Sequence, residues 1–229
     1  SELMKPVVVL VVARFYDLLP AGQIRSWHAI WPAAALIGVP VAMILVQPDL
    51  GTSSLVLFSG LTVMFLAGLP LRLFIGGAAA MVVLVPLAYT FGLHDYQQRR
   101  VLIFLNPEQD PLGAGYHITQ SKIAIGSGGL FGKGFMNGTQ SHLHYLPEQH
   151  TDFIFPAMVE EWGLFGGLFL IACFALLFRW GMRVALETKG RFERLTAAGL
   201  NMTIFFYFAI NLLMVMGLAP VVGIPLPLF

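Results

Sequence analysis

The chain has 229 residues, of which 57% are apolar and 11% charged, with a formal net charge of +1. Ordinary soluble domains carry about 25% charged residues, so this composition is that of a membrane protein, and nothing in the near-neutral balance suggests the concentrated basic face that nucleic-acid binding requires. The single cysteine, Cys173, lies within an apolar run and cannot form an internal disulfide; it reads as a packing or lipid-facing residue.

A membrane-spanning helix takes roughly 20 apolar residues, and the chain offers about six such segments. Segment 2–19 is the weakest, because it contains Arg14 and Asp17, although these lie one turn apart and can pair. Segments 28–46, 50–71 and 73–93 carry no formal charge. Segment 162–178 is also uncharged and is framed by Trp162 and Trp180, the spacing of aromatic anchors at two membrane interfaces. Segment 195–229 is uncharged and is expected to hold one span, to about Gly217, followed by a proline-rich loop. Pro32, Pro40, Pro86 and Pro156 fall in or near these spans and predict local kinks repaired by neighbouring helices. The expected fold class is an all-α polytopic membrane protein, a single transmembrane domain over 1–229. There is no signal peptide pattern, and the apolar ends read as cut from a longer chain.

Lysine and arginine set the orientation. With Ser1 outside, the inner segments hold Arg14, Arg25, Arg72, Arg179, Arg183, Lys189, Arg191 and Arg194, and the outer ones Lys5, Arg99, Arg100, Lys122 and Lys133. Most acidic residues fall outside, among them Glu2, Asp49, Asp95, Asp152, Glu160 and Glu161. One outer connection, 94–161, is far longer than the rest and glycine-rich, with the stretches GAGYH and GSGGLFGKGF. Long loops of this kind are usually functional, and its aromatic content argues against disorder. A surface-lying domain with short helices is expected there, one of them near 117–125.

The outer side gathers polar residues. Glu2 and Lys5 share one face of the first helix. Asp49 precedes a helix and can simply cap it. Asp95, Arg99 and Arg100 end the fourth span, Lys122 and Lys133 lie in the long loop, and Glu148, His150 and Asp152 close it. Such a set has two readings: recognition of an anionic headgroup or diphosphate, or ordinary loop charge. His142, His144 and His150 match no compact metal-ligand spacing.

Asp152 stands in HTDFIF, where the long loop meets an apolar helix. A helix continuous from Asp152 to Trp162 rises roughly 15 Å, against a headgroup layer of about 5–8 Å. That lifts the carboxylate to the polar head of a lipid-linked substrate. Apolar surroundings push such a carboxyl towards a usable general base, whereas a helix N-terminus favours the anion. As an N-cap, Asp152 would put Pro156 at the fourth helical position, where its missing N–H loses the first intrahelical bond. Chemistry alone leaves cap and base both open. Glu160 and Glu161 would lie at the hydrocarbon boundary, where one could face a polar cavity.

The stretches SELMK, QPDLGTS, the run from HDYQQRR through HTDFIF, and GLAPVVGIPLPL closely resemble the SEDS family (shape, elongation, division and sporulation), within it the rod-shape branch rather than the division branch. The resemblance covers essentially the whole chain. It implies a ten-helix fold, with three spans before Ser1 and one after Phe229. It implies polymerisation of peptidoglycan glycan strands from lipid II outside the bacterial inner membrane, with undecaprenyl diphosphate as leaving group. The family's catalytic aspartate falls on Asp152, and its Glu–Lys pair on Glu2 and Lys5. Asp49, Arg99, Arg100, Gln120 and Lys122 fall in family motifs as substrate-binding candidates. A class B penicillin-binding protein, the cross-linking transpeptidase, is the implied partner. Analogy adds a divalent cation, Mg²⁺ or Mn²⁺, at the leaving diphosphate. The rival expectations are a lipid II flippase and a non-catalytic scaffold of the elongation complex.

Overall fold

The structure is a computed structural model that describes residues 2–47, 49–91, 114–139 and 151–228. Among the described residues every regular element is a helix: α1 Met4–Leu18, a 3-10 turn Ala21–Gln23, α2 Trp27–Val46, α3 Leu50–Ala67, α4 Leu71–Phe91, α5 Ala114–Ser127, α6 Ile154–Glu187 and α7 Arg191–Val215. Four of these, α2, α3, α6 and α7, are long and apolar enough to cross a membrane. Helix α1 has 15 residues, and α4 contributes a shorter apolar stretch over Leu71–Leu84. A helix therefore lies over each of the six apolar segments expected to span, and four of the six are long and apolar enough among the described residues to do so, in an all-α integral membrane protein. Trp162 and Trp180, the expected interfacial anchors, are both largely exposed.

Contacts gather the chain into two compact units, Ser1–Gly92 with Leu177–Phe206, and Leu93–Leu176 with Tyr207–Phe229. In the first unit, α1, α2 and α3 pack on one another around Val9, Val12, Ala13, Tyr16, Ile37, Val56 and Val63. Small residues let the helices approach, as is usual where lipid removes the hydrophobic drive between helices. A Cβ on Gly60 would lie 2.6 Å from Ile37, and one on Gly199 would lie 2.7 Å from both Val9 and Val63. A buried hydroxyl pair, Thr203 Oγ1 donating to Ser59 Oγ at 2.9 Å, joins α7 to α3. Two arginines finish the helix ends: Arg191 donates to the Leu19 carbonyl at 3.1 Å and Arg25 to the Gly68 carbonyl at 3.2 Å, where the last carbonyls lack intrahelical partners. Arg14 and Asp17 form the expected pair at 2.7 Å.

The second unit is organised by a break in α6. Gly163 has φ 70° and ψ −168°, a conformation essentially confined to glycine. The break removes the bonds that Leu164 and Phe165 would donate to Glu160 and Glu161. The glycine-rich turn after α5 replaces them: Lys133 N–H donates to the Glu160 carbonyl and Gly134 N–H to that of Glu161, each at 3.0 Å, while Leu164 N–H donates to the Gly129 carbonyl at 2.9 Å and Phe165 N–H to that of Leu130 at 3.4 Å. Side chains would prevent this approach, since a Cβ on Gly132 would meet the Glu161 carbonyl and one on Gly163 the Gly132 nitrogen. Glu160 is fully buried there. It accepts from Lys133 Nζ at 2.6 Å and from Thr139 Oγ1 at 3.0 Å. The glycine run expected as part of a surface loop is, over these residues, the partner of a broken helix.

The start of α6 corrects a second expectation. The helix begins at Ile154, not Asp152, and the Phe153 carbonyl accepts from Ala157 N–H at 3.3 Å, so Phe153 occupies the cap position. Pro156 becomes the third helical residue, where an N–H would have no intrahelical acceptor, and the cost foreseen for it disappears. From Ile154 to Trp162 the rise is about 12 Å, with the Asp152 turn beyond it.

These contacts make two expectations. Gly199→Ala lowers stability by about 1–3 kcal/mol through overpacking, read as a lower melting temperature in detergent, while Gly76→Ala, with open space around its Cβ, does not lower it and raises it by up to about 1 kcal/mol through helix propensity. Lys133→Met strands the buried Glu160 carboxylate and costs about 3 kcal/mol, and adding Glu160→Met recovers much of that loss, measurable in the same melts.

Candidate functional site

Asp152 lies in a turn over 151–153 and is partly buried, between an exposed Thr151 and a buried Phe153. Phe153 and Phe155 are both 3% exposed, so the flanking aromatics anchor the turn rather than face solvent. The Phe153 ring lies 6.2 Å from that of His117 on α5, tilted by 58°. The Asp152 carbonyl accepts from Asn211 Nδ2 at 2.8 Å. The same nitrogen donates to the Ile224 carbonyl at 2.7 Å, and Asn211 is itself fully buried. Gly223, with φ +64°, lies beside the carboxylate: a Cβ there would stand 3.8 Å from Asp152 Oδ2.

The end of α7 brings α5 to the same unit. Gly217, at φ 71°, closes the helix, its N–H donating to Met214 at 2.9 Å and that of Leu218 to Leu213 at 2.8 Å. This left-handed ending satisfies carbonyls that a terminating helix leaves open. Val215's carbonyl is taken by the buried Ser121 Oγ at 2.7 Å. Lys122, exposed on α5, runs its stem against Gly217, whose absent side chain leaves room for it: a Cβ there would be 2.6 Å from Lys122 Nζ. A cation at a helix C-terminus is favoured by the helix dipole. Gln120 is partly exposed on the same helix.

Glu2 and Lys5, in the first unit, form an ion pair at 2.6 Å. Lys5 is 4% exposed and Glu2 75% exposed, so the pair brings a buried ammonium to a carboxylate that reaches solvent. Asp49 does act as the N-cap of α3, accepting from Thr52 N–H at 2.9 Å. Arg99 and Arg100 lie outside the described residues, as do His142, His144 and His150. Among the described residues, no three His, Cys, Asp or Glu side chains cluster as metal ligands.

Three contributors went unnoticed in the sequence. Asn211 and Ser121 carry no charge and stand in largely apolar surroundings, and the partnership of Lys133 with Glu160 joins residues 27 apart. An asparagine deep in an apolar span, Asn201 as well as Asn211, was the available signal, since a buried amide in such a helix needs partners.

If the Glu2–Lys5 contact serves only as a pair, the exchange Glu2→Lys with Lys5→Glu restores the activity that either single change removes. Assay of whole-protein activity checks this, and failure of the exchange to rescue assigns one of the two to substrate.

Comparison with known proteins completes the site's context. A sequence model of the FtsW/RodA/SpoVE family, described as cell cycle proteins, matches residues 1–229. The chain is 51% identical to the peptidoglycan glycosyltransferase MrdB of Escherichia coli K12 over 231 residues, covering 100% of this chain and 61% of that protein. Among solved structures it is similar to a chain of a peptidoglycan synthase complex that coordinates polymerization and crosslinking (35% identity, TM-score 0.79, 98% of this chain and 61% of the other). It is also similar to an aspartate-to-alanine mutant of the rod shape determining protein RodA from Thermus thermophilus (28% identity, TM-score 0.65, 98% and 56%). The chain thus spans about three fifths of the length of the E. coli relative. A family match over every residue, together with these full-chain likenesses, means that the chain belongs to the FtsW/RodA/SpoVE family of cell cycle proteins.

Proposed function

We propose that this chain is the central part of a peptidoglycan glycosyltransferase that polymerises lipid II into glycan strands during cell elongation, with Asp152 as general base. The observation that carries the reading is the Asp152 turn: a partly buried carboxylate just ahead of an apolar helix, between anchored aromatics and a glycine wall, in a chain 51% identical to a protein named peptidoglycan glycosyltransferase.

The 4-hydroxyl of one lipid-linked sugar attacks the anomeric carbon of the lipid-linked strand. Asp152 takes the hydroxyl proton as the new C–O bond forms, and undecaprenyl diphosphate leaves with the bonding electrons. The departing diphosphate needs positive charge, for which Lys122, Arg99 and Arg100 are the chain's own candidates. Should Mg²⁺ or Mn²⁺ take part, the diphosphate oxygens would supply the hard donors that suit either ion, and the ion would neutralise charge on the leaving group, leaving Asp152 as the base. The prenyl tails lie between helices while the heads reach the outer side of a bacterial inner membrane, which the protein crosses several times. A class B penicillin-binding protein cross-links the product.

The test uses full-length protein with a transpeptidase-inactive partner and labelled lipid II in detergent, where flipping has no meaning. Wild-type protein makes glycan, and Asp152→Asn loses about 10²–10⁴-fold in rate while still binding its partner. Normal polymerisation by Asp152→Asn overturns the mechanism. No glycan from the wild type overturns the enzyme reading and favours the flippase or scaffold.

A further inference from the structure

Asn211 stands in α7 with no accessible surface and commits its amide nitrogen to two carbonyls, those of Asp152 at 2.8 Å and Ile224 at 2.7 Å. Both partners are acceptors only, so the amide has one possible orientation: the NH₂ end, with its two hydrogens, must face them. The two carbonyls belong to non-helical stretches distant in sequence, the turn over 151–153 and the run over 219–226. One side chain therefore ties the backbone that carries the carboxylate to the backbone beside it. Gly223 directly precedes Ile224, and its α-carbon is the wall that a Cβ would bring to 3.8 Å from Asp152 Oδ2. The other end of the amide, Oδ1, is buried with no hydrogen-bond partner among the described residues, an arrangement that costs free energy and that packing alone would not favour over leucine.

We infer that Asn211 is a positioning residue for Asp152: by holding the Asp152 carbonyl and the Gly223–Ile224 backbone on one amide, it sets where the carboxylate stands relative to the loop, and so where the acceptor hydroxyl meets its base. The inference rests on Asp152 being that base. Aspartate at 211 would turn acceptors towards both carbonyls, and leucine would withdraw the amide donor from both. Glutamine keeps both hydrogens but moves them by one methylene. Misplacement of about 1 Å suffices for a large loss of rate in a reaction that depends on alignment.

The experiment measures initial rates of polymerisation against lipid II concentration for full-length protein with its transpeptidase-inactive partner. Asn211→Leu, Asn211→Gln and Asp152→Asn are compared, and each variant is checked by melting temperature and co-purification. The expected result for folded Asn211→Leu is a fall in kcat of about 10- to 100-fold with KM within about twofold, and a smaller fall for Asn211→Gln. A wild-type kcat in folded Asn211→Leu overturns the inference, as does a loss expressed only in KM. If Asn211→Leu does not fold, Asn211→Gln decides: reduced kcat at unchanged KM supports the role, and wild-type kcat overturns it. Asp152→Asn separates the two claims. If it polymerises at the wild-type rate, the base assignment fails; if it is inactive while folded Asn211 variants are unimpaired, only the positioning role fails.

Discussion

A helix that breaks within an apolar chain leaves carbonyls before the break and N–H groups after it without partners, and in lipid there is no water to supply them. The second unit is arranged around that constraint at Gly163. The turn over 128–134 returns four backbone hydrogen bonds to α6, two in each direction, and its glycines are there because backbone must touch backbone. Lys133 and Glu160 add a buried charge pair at the same place. The break thus binds the turn over 128–134 to the helix that follows Asp152, and it does so through main-chain groups that no change of side-chain polarity could replace.

The same requirement acts at the other end of the unit. The last carbonyls of α7 are closed by Gly217, Leu218 and the Ser121 hydroxyl, and the carbonyls of Asp152 and Ile224 by Asn211. Each of these polar side chains is buried, and each serves backbone rather than another side chain. Asp152 is a partly exposed residue at the edge of this network, and its carbonyl is held inside. A carboxylate on a turn held from behind would suit chemistry that needs alignment more than reach, as the proposed function requires. The first unit is simpler. It is held by close packing at Gly60 and Gly199, by one hydroxyl pair, and by arginines over helix ends.

The sequence carried most of the architecture, because apolar runs of spanning length have few alternative uses in a chain with so little charge. Locally dictated features were legible too: the Arg14–Asp17 and Glu2–Lys5 pairs one turn apart, the Asp49 cap, and the end of α7 near Gly217. Asp152 was legible as a carboxylate at a loop–helix junction, but cap and base remained equal until the motif resemblance entered. The cap reading then shifted by one residue, since the hydrogen bond that starts α6 belongs to Phe153. Fixing a helix start to one residue depends on tertiary anchoring, here the burial of both phenylalanines.

By itself, then, the sequence determined the membrane class, the order of the helices and the family motifs, all of which follow from composition and short-range spacing. Only the tertiary structure decided which distant polar groups serve the fold. That Lys133 neutralises Glu160, that Ser121 closes α7, and that Asn211 holds Asp152 depend on contacts between residues 27, 94 and 59 positions apart. A hydrogen-bond partner at such separations is chosen by where packing brings the backbone, and no local pattern encodes it.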